Sequence, residues 1–131
     1  MLTSGSYLLD TNIIIALFAG EEEVRSSFAQ ADAVLISSIV VGELCYGARK
    51  SSRTTRNLER IDELVAESAV LICDVETAQH YGEVKNKLRL RGRPLPENDV
   101  WIAALALQHN LILAIRDAHF QEIENLQTAA W

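Results

Sequence analysis

Four acidic side chains stand where an apolar stretch of the sequence ends, begins or is interrupted. Asp10 and Asp117 each follow a short apolar run of the kind that forms a buried strand. Asp99 stands near the start of an apolar helix-like stretch, and Glu43 interrupts another. A carboxylate in such a stretch is costly to bury unless it is paired or binds a metal. These four residues are therefore the first candidates for chemistry.

The order of strand-like and helix-like segments indicates how the acids could meet. Strands separated by helices predict an α/β fold, a three-layer α/β/α sandwich around a short, mainly parallel sheet. In such a sheet, strand ends and helix starts share one edge, where ligands bind. Carboxylates gathered there would repel one another and require a counter-ion, and hard oxygen ligands select Mg²⁺ or Mn²⁺.

Each acid also has a purely structural interpretation. Asp10 and Asp99 could serve only as helix caps, a position that favours Asp. Glu43 could face water at a helix edge or pair with Arg49. The three histidines lie on separate predicted elements and are interpreted as structural or surface residues: His80, His109 and His119.

Length and composition favour a single cytoplasmic domain over residues 1–131. A chain of 131 residues with 49% apolar and 23% charged residues is ordinary for a globular domain. The two cysteines, Cys45 and Cys73, lack metal-ligand spacing and suggest reduced thiols. Met1 to Ser6 shows no signal-peptide pattern, and no apolar run reaches the roughly 20 residues that span a membrane.

The pattern predicts the following elements. Strands are expected at 7–9, 34–36, 70–72 and 111–115, with a last strand within 122–128. Helices are expected at 13–18, 21–31, 39–50, 51–68, 76–91 and 98–109, with Ser37 and Ser38 capping the third and a short helical turn near Phe120.

At the four acids the chain resembles the PIN-domain ribonucleases, and most closely the VapC toxins of bacterial and archaeal toxin–antitoxin pairs. The motifs are LLDTNII around Asp10, VVGEL around Glu43, PLPENDVWIAA around Asp99 and RDAHF around Asp117. Each motif is weak alone, but together they cover essentially the whole chain in the family's order. One departure is Ile115, where many members have Thr or Ser two residues before the last acid.

The resemblance implies a PIN-like fold and a Mg²⁺- or Mn²⁺-dependent endoribonuclease that leaves a 5′-phosphate and a 3′-hydroxyl. Asp10, Glu43, Asp99 and Asp117 would be the metal-binding, catalytic acids. Thr11 would support the site beside the first acid, and Asn12 and Asn98 are further candidates around the metal ligands. The implied partners are an RNA substrate, a VapB-type antitoxin that blocks the acidic site, and a second copy of the chain in a homodimer.

Positive charge is concentrated locally although the net charge is −6. Ten of the twelve basic residues fall within 49–60 and 85–93. Such clusters can give phosphate contacts without sequence reading. The candidates for RNA contact are Arg49, Lys50, Arg53, Arg91, Arg93 and Arg116. The alternative is a solvated helix face with intrahelical pairs, such as Arg56 with Glu59.

Two other function classes compete with a nuclease: a phosphatase or receiver domain that uses Asp10 as phosphoryl acceptor, and a catalytically inactive RNA-binding module. A metal-dependent phosphatase would also use a strand-end acid, but its common signature has Asp at the position of Asn12. A receiver domain would want a lysine near a late strand end, and none is placed there. A catalytically inactive RNA-binding module would usually have lost an acid, whereas this chain keeps all four.

Overall fold

The computed structural model describes residues 5–131. The expectation about a signal peptide rests mainly on residues 1–4, which lie outside the described part. The described strands are β1 (Ser6–Leu9), β2 (Ala33–Ser37), β3 (Ala69–Leu71), β4 (Ile112–Ile115) and β5 (Thr128–Ala130). They form one sheet in the order β3-β2-β1-β4-β5, and all four pairings are parallel.

Helices connect these strands and cover the sheet as the outer layers of an α/β/α sandwich, which confirms the predicted fold class. The helices are α1 (Thr11–Phe18), α2 (Glu22–Gln30), α3 (Ser38–Lys50), α4 (Thr54–Glu67), α5 (Val75–Leu90) and α6 (Glu97–Gln108). A 3₁₀ turn covers Ala118–Glu122. None of the helices in the described range is long and apolar enough to cross a membrane.

The central strands and α6 supply much of the core. Leu8 and Leu9 of β1 are fully buried, because β1 has a neighbouring strand on each side and helices over the sheet. Ile102 and Leu105 of α6 are equally buried. The apolar body of α6 is therefore internal, whereas Glu97 and Asn98 in its first turn are exposed and Asp99 is partly buried.

Two aromatic contacts fix elements that carry candidate residues. Tyr81 of α5 stacks on Trp101 of α6, with ring centroids 4.0 Å apart and planes at 16°. Tyr7 of β1 packs against Trp131 with centroids 5.0 Å apart. Stacking of this kind adds to the stabilisation from burial alone.

Most expected elements are present within a few residues, and the capping prediction is refined. Ser37 is the N-cap of α3 and accepts a hydrogen bond from the Val40 N–H at 3.1 Å, whereas Ser38 is the first helical residue. The last strand lies later than predicted, because it spans Thr128–Ala130 and only its first residue falls within 122–128. The preceding segment turns at Asn125, whose φ of 65° is incompatible with an extended strand.

Candidate functional site

Asp10 lies directly after β1 and is held by its backbone. Its N–H donates to the Ala114 carbonyl of β4 at 3.1 Å, and its own carbonyl accepts from the N–H groups of Ile13 and Ile14. It occupies the N-cap position of α1, but its side chain makes no capping hydrogen bond. The residue is only 6% exposed. The interpretation of Asp10 as a plain helix cap is therefore wrong.

Glu43 faces the start of α1 from the middle of α3. The hydroxyl of Thr11 donates to Glu43 Oε1 at 2.8 Å, so the residue beside Asp10 orients the second acid. No ion pair within residues 5–131 joins Glu43 to Arg49. The structure therefore supports the predicted place of Thr11 and contradicts the alternative in which Arg49 neutralises Glu43.

Asp99 lies in the first turn of α6, but it is not the cap of that helix. The N-cap position belongs to Pro96, and the Asp99 side chain instead contacts His119. His119 Nε2 lies 3.0 Å from Asp99 Oδ2, and the Asp99 side chain is 18% exposed. The interpretation of Asp99 as a plain cap is therefore wrong, because Asp99 does not occupy the N-cap position of α6.

His119, interpreted from the sequence as a structural or surface residue, is partly buried beside the site. Its ring lies between two of the candidate acids, with Nδ1 3.7 Å from Asp117 Oδ2 on the side opposite Asp99. The 3₁₀ turn after β4 brings it there, and its spacing of two residues from Asp117 was the only available sequence signal. Within residues 5–131, His80 and His109 make no hydrogen bond or ion pair with the four acids, and their interpretation as structural or surface residues stays a prediction.

Burial and like charge raise the pKa of the Asp10 carboxyl from its usual 3.8 to about 6. Desolvation is the largest cause, and the Asp99 and Glu43 carboxylates act in the same direction. The Thr11 backbone N–H and the His119 ring oppose the rise in pKa. Asp10, Glu43 and Asp99 thus share one electrostatic environment.

The remaining predicted residues lie at the margin of this environment. The Asp117 side chain is 58% exposed and contacts only His119 among the site residues. Asn12 and Asn98 are exposed, and within residues 5–131 neither side chain bonds to an acid. Ile115 is buried and offers no hydroxyl to Asp117.

The acids have the right donor chemistry for a hard divalent cation. No Lys or Arg of the described chain is ion-paired with Asp10, Glu43 or Asp99, so a counter-cation would relieve their repulsion. In the described range, however, no three ligand-type side chains are close enough together to enclose an ion as they stand.

An apolar groove of about 400 Å³ begins at this site and runs between α1, α3 and α4. Thr11 and Glu43 form its end near the acids, and Ile15 on its wall is 53% exposed. Its other lining residues are Phe18, Ala19, Leu44, Gly47, Ala48, Asn57, Arg60 and Ile61. The groove therefore offers exposed apolar surface directly beside negative charge.

The predicted RNA contacts fall into two groups. Arg93 pairs with Glu122 at 3.4 Å, and Arg116 pairs with Glu21 at 2.6 Å. Arg91 donates to the backbone carbonyl of Glu122. By contrast, Arg49, Lys50 and Arg53 take part in no ion pair within the described residues, and Lys50 instead lies over the Tyr46 ring.

The first basic cluster also lacks the intrahelical pairs considered as its alternative. Within residues 5–131, Arg56 forms no ion pair with Glu59. Arg60 instead donates to the Phe18 carbonyl and lies over the Phe18 ring. The basic side chains between residues 49 and 56 therefore have no ion-paired acid in the described chain and could contact phosphates beside the groove.

Comparison with known proteins gives consistent results. The PIN domain model matches residues 7–126. The chain is 37% identical to Ribonuclease VapC2 of Haemophilus influenzae over 128 residues, which cover 95% of this chain and 97% of that protein. It is 34% identical, with the same coverage, to the tRNA(fMet)-specific endonuclease VapC of Shigella flexneri. Among solved structures, VapBC2 of Rickettsia felis bound to a promoter DNA fragment superposes with a TM-score of 0.88, at 27% identity over 96% of this chain and 98% of that one.

The raised pKa of Asp10 predicts how stability depends on pH in the presence of chelator. A carboxyl with a raised folded-state pKa holds its proton more tightly when folded, so stability falls as pH rises from about 4 to about 6. Replacing Asp10 by Asn should therefore increase the free energy of unfolding at pH 7 by roughly 2 kcal/mol, and by much less at pH 4. Denaturant unfolding at both pH values measures this difference.

Asp62→Asn is the matched control, because Asp62 is an exposed acid on α4 outside the site. It should change stability by less than about 0.5 kcal/mol at either pH. A stability gain in Asp10→Asn that is absent at pH 7, or the same at both pH values, would contradict the buried-charge account.

Proposed function

Because the chain belongs to the PIN-domain family, among its VapC ribonucleases, we propose that it is a Mg²⁺- or Mn²⁺-dependent endoribonuclease and the toxin of a VapBC-type pair. One observation carries the proposal: Asp10, Glu43 and Asp99 share a partly buried site without a lysine or arginine ion-paired to any of them in residues 5–131. A catalytically inactive binding module would not need three acids without a paired cation, and the similar proteins are named as ribonucleases or endonucleases, which does not favour a phosphomonoesterase.

Asp10, Glu43 and Asp99 would hold the ion, with Asp117 joining from the exposed side. A bound divalent ion would offset negative charge on the scissile phosphate and would lower the pKa of the attacking water. Because no three ligand groups in the described chain enclose an ion as they stand, at least one acid would have to rotate, and Asp117, whose side chain is 58% exposed, is the least restrained of the four. Asp10 is the fixed point, since its backbone is anchored to β4, and Thr11 limits the rotation of Glu43.

The substrate approaches past the unpaired cations beside the groove. Arg49 and Arg53 lie at the end of α3 and just before α4, whose Ala48 and Asn57 line the groove. They would bind phosphates along the strand, whereas the acids act on one phosphodiester. The name of the Shigella flexneri relative makes tRNA(fMet) the first structured RNA to test.

Charge removal at the acids should abolish cleavage. Asp10→Asn and Asp99→Asn keep the side-chain shape but remove the charge that holds the ion, so cleavage of tRNA(fMet) and of single-stranded RNA should fall by about 100-fold or more. The assay is gel-resolved cleavage with Mg²⁺ or Mn²⁺, with chelator as the blank and Asp62→Asn as the active control. Near-parental cleavage by both site variants would refute the nuclease assignment.

Removal of an unpaired cation should weaken RNA binding without changing the chemical step. Arg53→Ala should raise KM several-fold at constant kcat and reduce the salt slope of RNA binding by about 1. Arg93→Ala is the control, because Arg93 is already paired with Glu122, and it should change KM less. Equal effects of Arg53→Ala and Arg93→Ala on KM would contradict the proposal that the basic residues at 49–56 bind the RNA.

We propose the groove as the binding site of a VapB-type antitoxin. An amphipathic segment could place apolar side chains against Ile15 and Phe18 while a basic side chain reaches Glu43 at the end of the groove. One segment would thereby cover the exposed apolar surface and neutralise the acids. Inhibition then follows from occupation of the site.

Ile15→Glu should release the antitoxin, because it places a charge in the apolar groove. The variant should lose copurification with the product of the adjacent gene and keep its cleavage of RNA. Leu90→Glu is the control, since Leu90 is 69% exposed on α5 and does not line the groove. Undiminished copurification with Ile15→Glu would place the antitoxin elsewhere.

A homodimer is proposed as well. Tyr46, Ile72 and Val75 are 65%, 68% and 75% exposed, which is unusual for large apolar side chains and favours coverage by a second copy. Sedimentation of the protein at micromolar concentration tests this proposal, and a monodisperse monomer would contradict it.

A further inference from the structure

His119 connects two parts of the site that are distant in sequence. It lies in the 3₁₀ turn after β4, whereas Asp99 lies in the first turn of α6. The 3.0 Å contact between His119 Nε2 and Asp99 Oδ2 spans 20 positions of the chain. Neither the strand ends nor the helix caps account for this contact.

The direction of the hydrogen bond follows from the chemistry of its partners. A carboxylate only accepts hydrogen bonds, so the hydrogen must be on Nε2 of His119. Nδ1 lies 3.7 Å from Asp117 Oδ2, which is too long for a hydrogen bond. His119 therefore acts on Asp99 as a directed donor, and a neutral ring is sufficient for that role.

The ring is held in place by its neighbour. Phe120 is fully buried and anchors the turn in the core. The His119 ring stacks on the Phe120 ring, with centroids 4.8 Å apart and planes at 26°. The His119 side chain is 35% exposed, so water competes only partly for its contact with Asp99. The donor is thus positioned before any ligand arrives.

We propose that His119 is a positioning residue that fixes Asp99 for divalent-ion binding, an inference that rests on the proposed function. Its Nε2–H donates to Oδ2 of Asp99 and restricts the rotation of the carboxylate, so that Asp99 would be held in one orientation when an ion binds. Carboxylates that bind metals are commonly oriented by such partners, and loss of the partner weakens metal binding by about 10- to 100-fold.

Titration with Mn²⁺ alone tests this role without reference to activity. Chelator-treated protein is titrated by calorimetry, and the shift of Tm with Mn²⁺ is recorded in parallel. His119→Gln places an amide donor near the original Nε2 and should stay close to the parent. His119→Asn has a shorter donor that stops short of Asp99, and His119→Leu has none, so both should raise the Kd for Mn²⁺ about 10-fold.

His109→Leu is the matched control, because His109 is exposed at the end of α6 away from the acids. Its Kd for Mn²⁺ should equal that of the parent. A purely structural role for His119 would lower Tm in chelator but leave the Kd unchanged. The Gln and Asn pair decides the question even if the Leu variant does not fold.

The outcomes separate this inference from the proposed function. If the parent binds Mn²⁺ and cleaves RNA but folded His119→Asn and His119→Gln share its Kd, the positioning role is refuted and the nuclease assignment stands. If the parent neither binds Mn²⁺ nor cleaves RNA, both proposals fail together. A raised Kd in His119→Asn with near-parental binding in His119→Gln supports the positioning role.

Discussion

Three backbone hydrogen bonds hold Asp10 at the edge of the sheet, one through its N–H to Ala114 of β4 and two through its carbonyl to the first turn of α1. The Asp10 backbone cannot move without disturbing the contact between β1 and β4, and the residue is only 6% exposed. Burial then makes its negative charge unfavourable, and Glu43 and Asp99 increase that cost. The two neighbouring acids are each held by a hydrogen bond. The Thr11 hydroxyl donates to Glu43, and the His119 ring contacts Asp99. No lysine or arginine within residues 5–131 forms an ion pair with these acids, so their negative charge is not neutralised by the described chain.

The two clusters of basic residues differ in how far their charges are paired with acids. The cations within 85–93 are largely tied to acids or carbonyls of their own surface, for example Lys85 to Glu97 at 2.6 Å. Such exposed pairs contribute little to stability, about 0–1 kcal/mol, but they lower the field that a phosphate would meet. The cations at 49–56 have no ion-paired acid in the described chain and lie beside the groove. The net charge of −6 therefore does not predict the local charge at residues 49–56 or at residues 85–93.

Sequence alone predicted the parts of the site that depend on local order. The apolar runs that end at Asp10 and Asp117 identify buried strands, and the Ser37 cap follows from its position before α3. The contact between Thr11 and Glu43, 32 positions apart, depends on how α1 packs against α3, which periodicity does not encode. His119 was missed for the same reason, because its partner Asp99 is set by the packing of α6 against the sheet. The last strand lies later than predicted because the left-handed turn at Asn125 has no strong signal in an otherwise unremarkable segment.

The aromatic stacks have a practical consequence for anyone observing this protein in solution. The chain has two tryptophans, and each reports on a different side of the fold. Trp101 lies on the same helix as Asp99, stacked on Tyr81, whereas Trp131 packs against Tyr7 of the strand that leads to Asp10. Fluorescence emission from Trp101 senses the stack on α5, and emission from Trp131 senses the edge of β1. Replacing either one by phenylalanine would leave a single tryptophan, so that the two sides could be followed separately without attaching a dye.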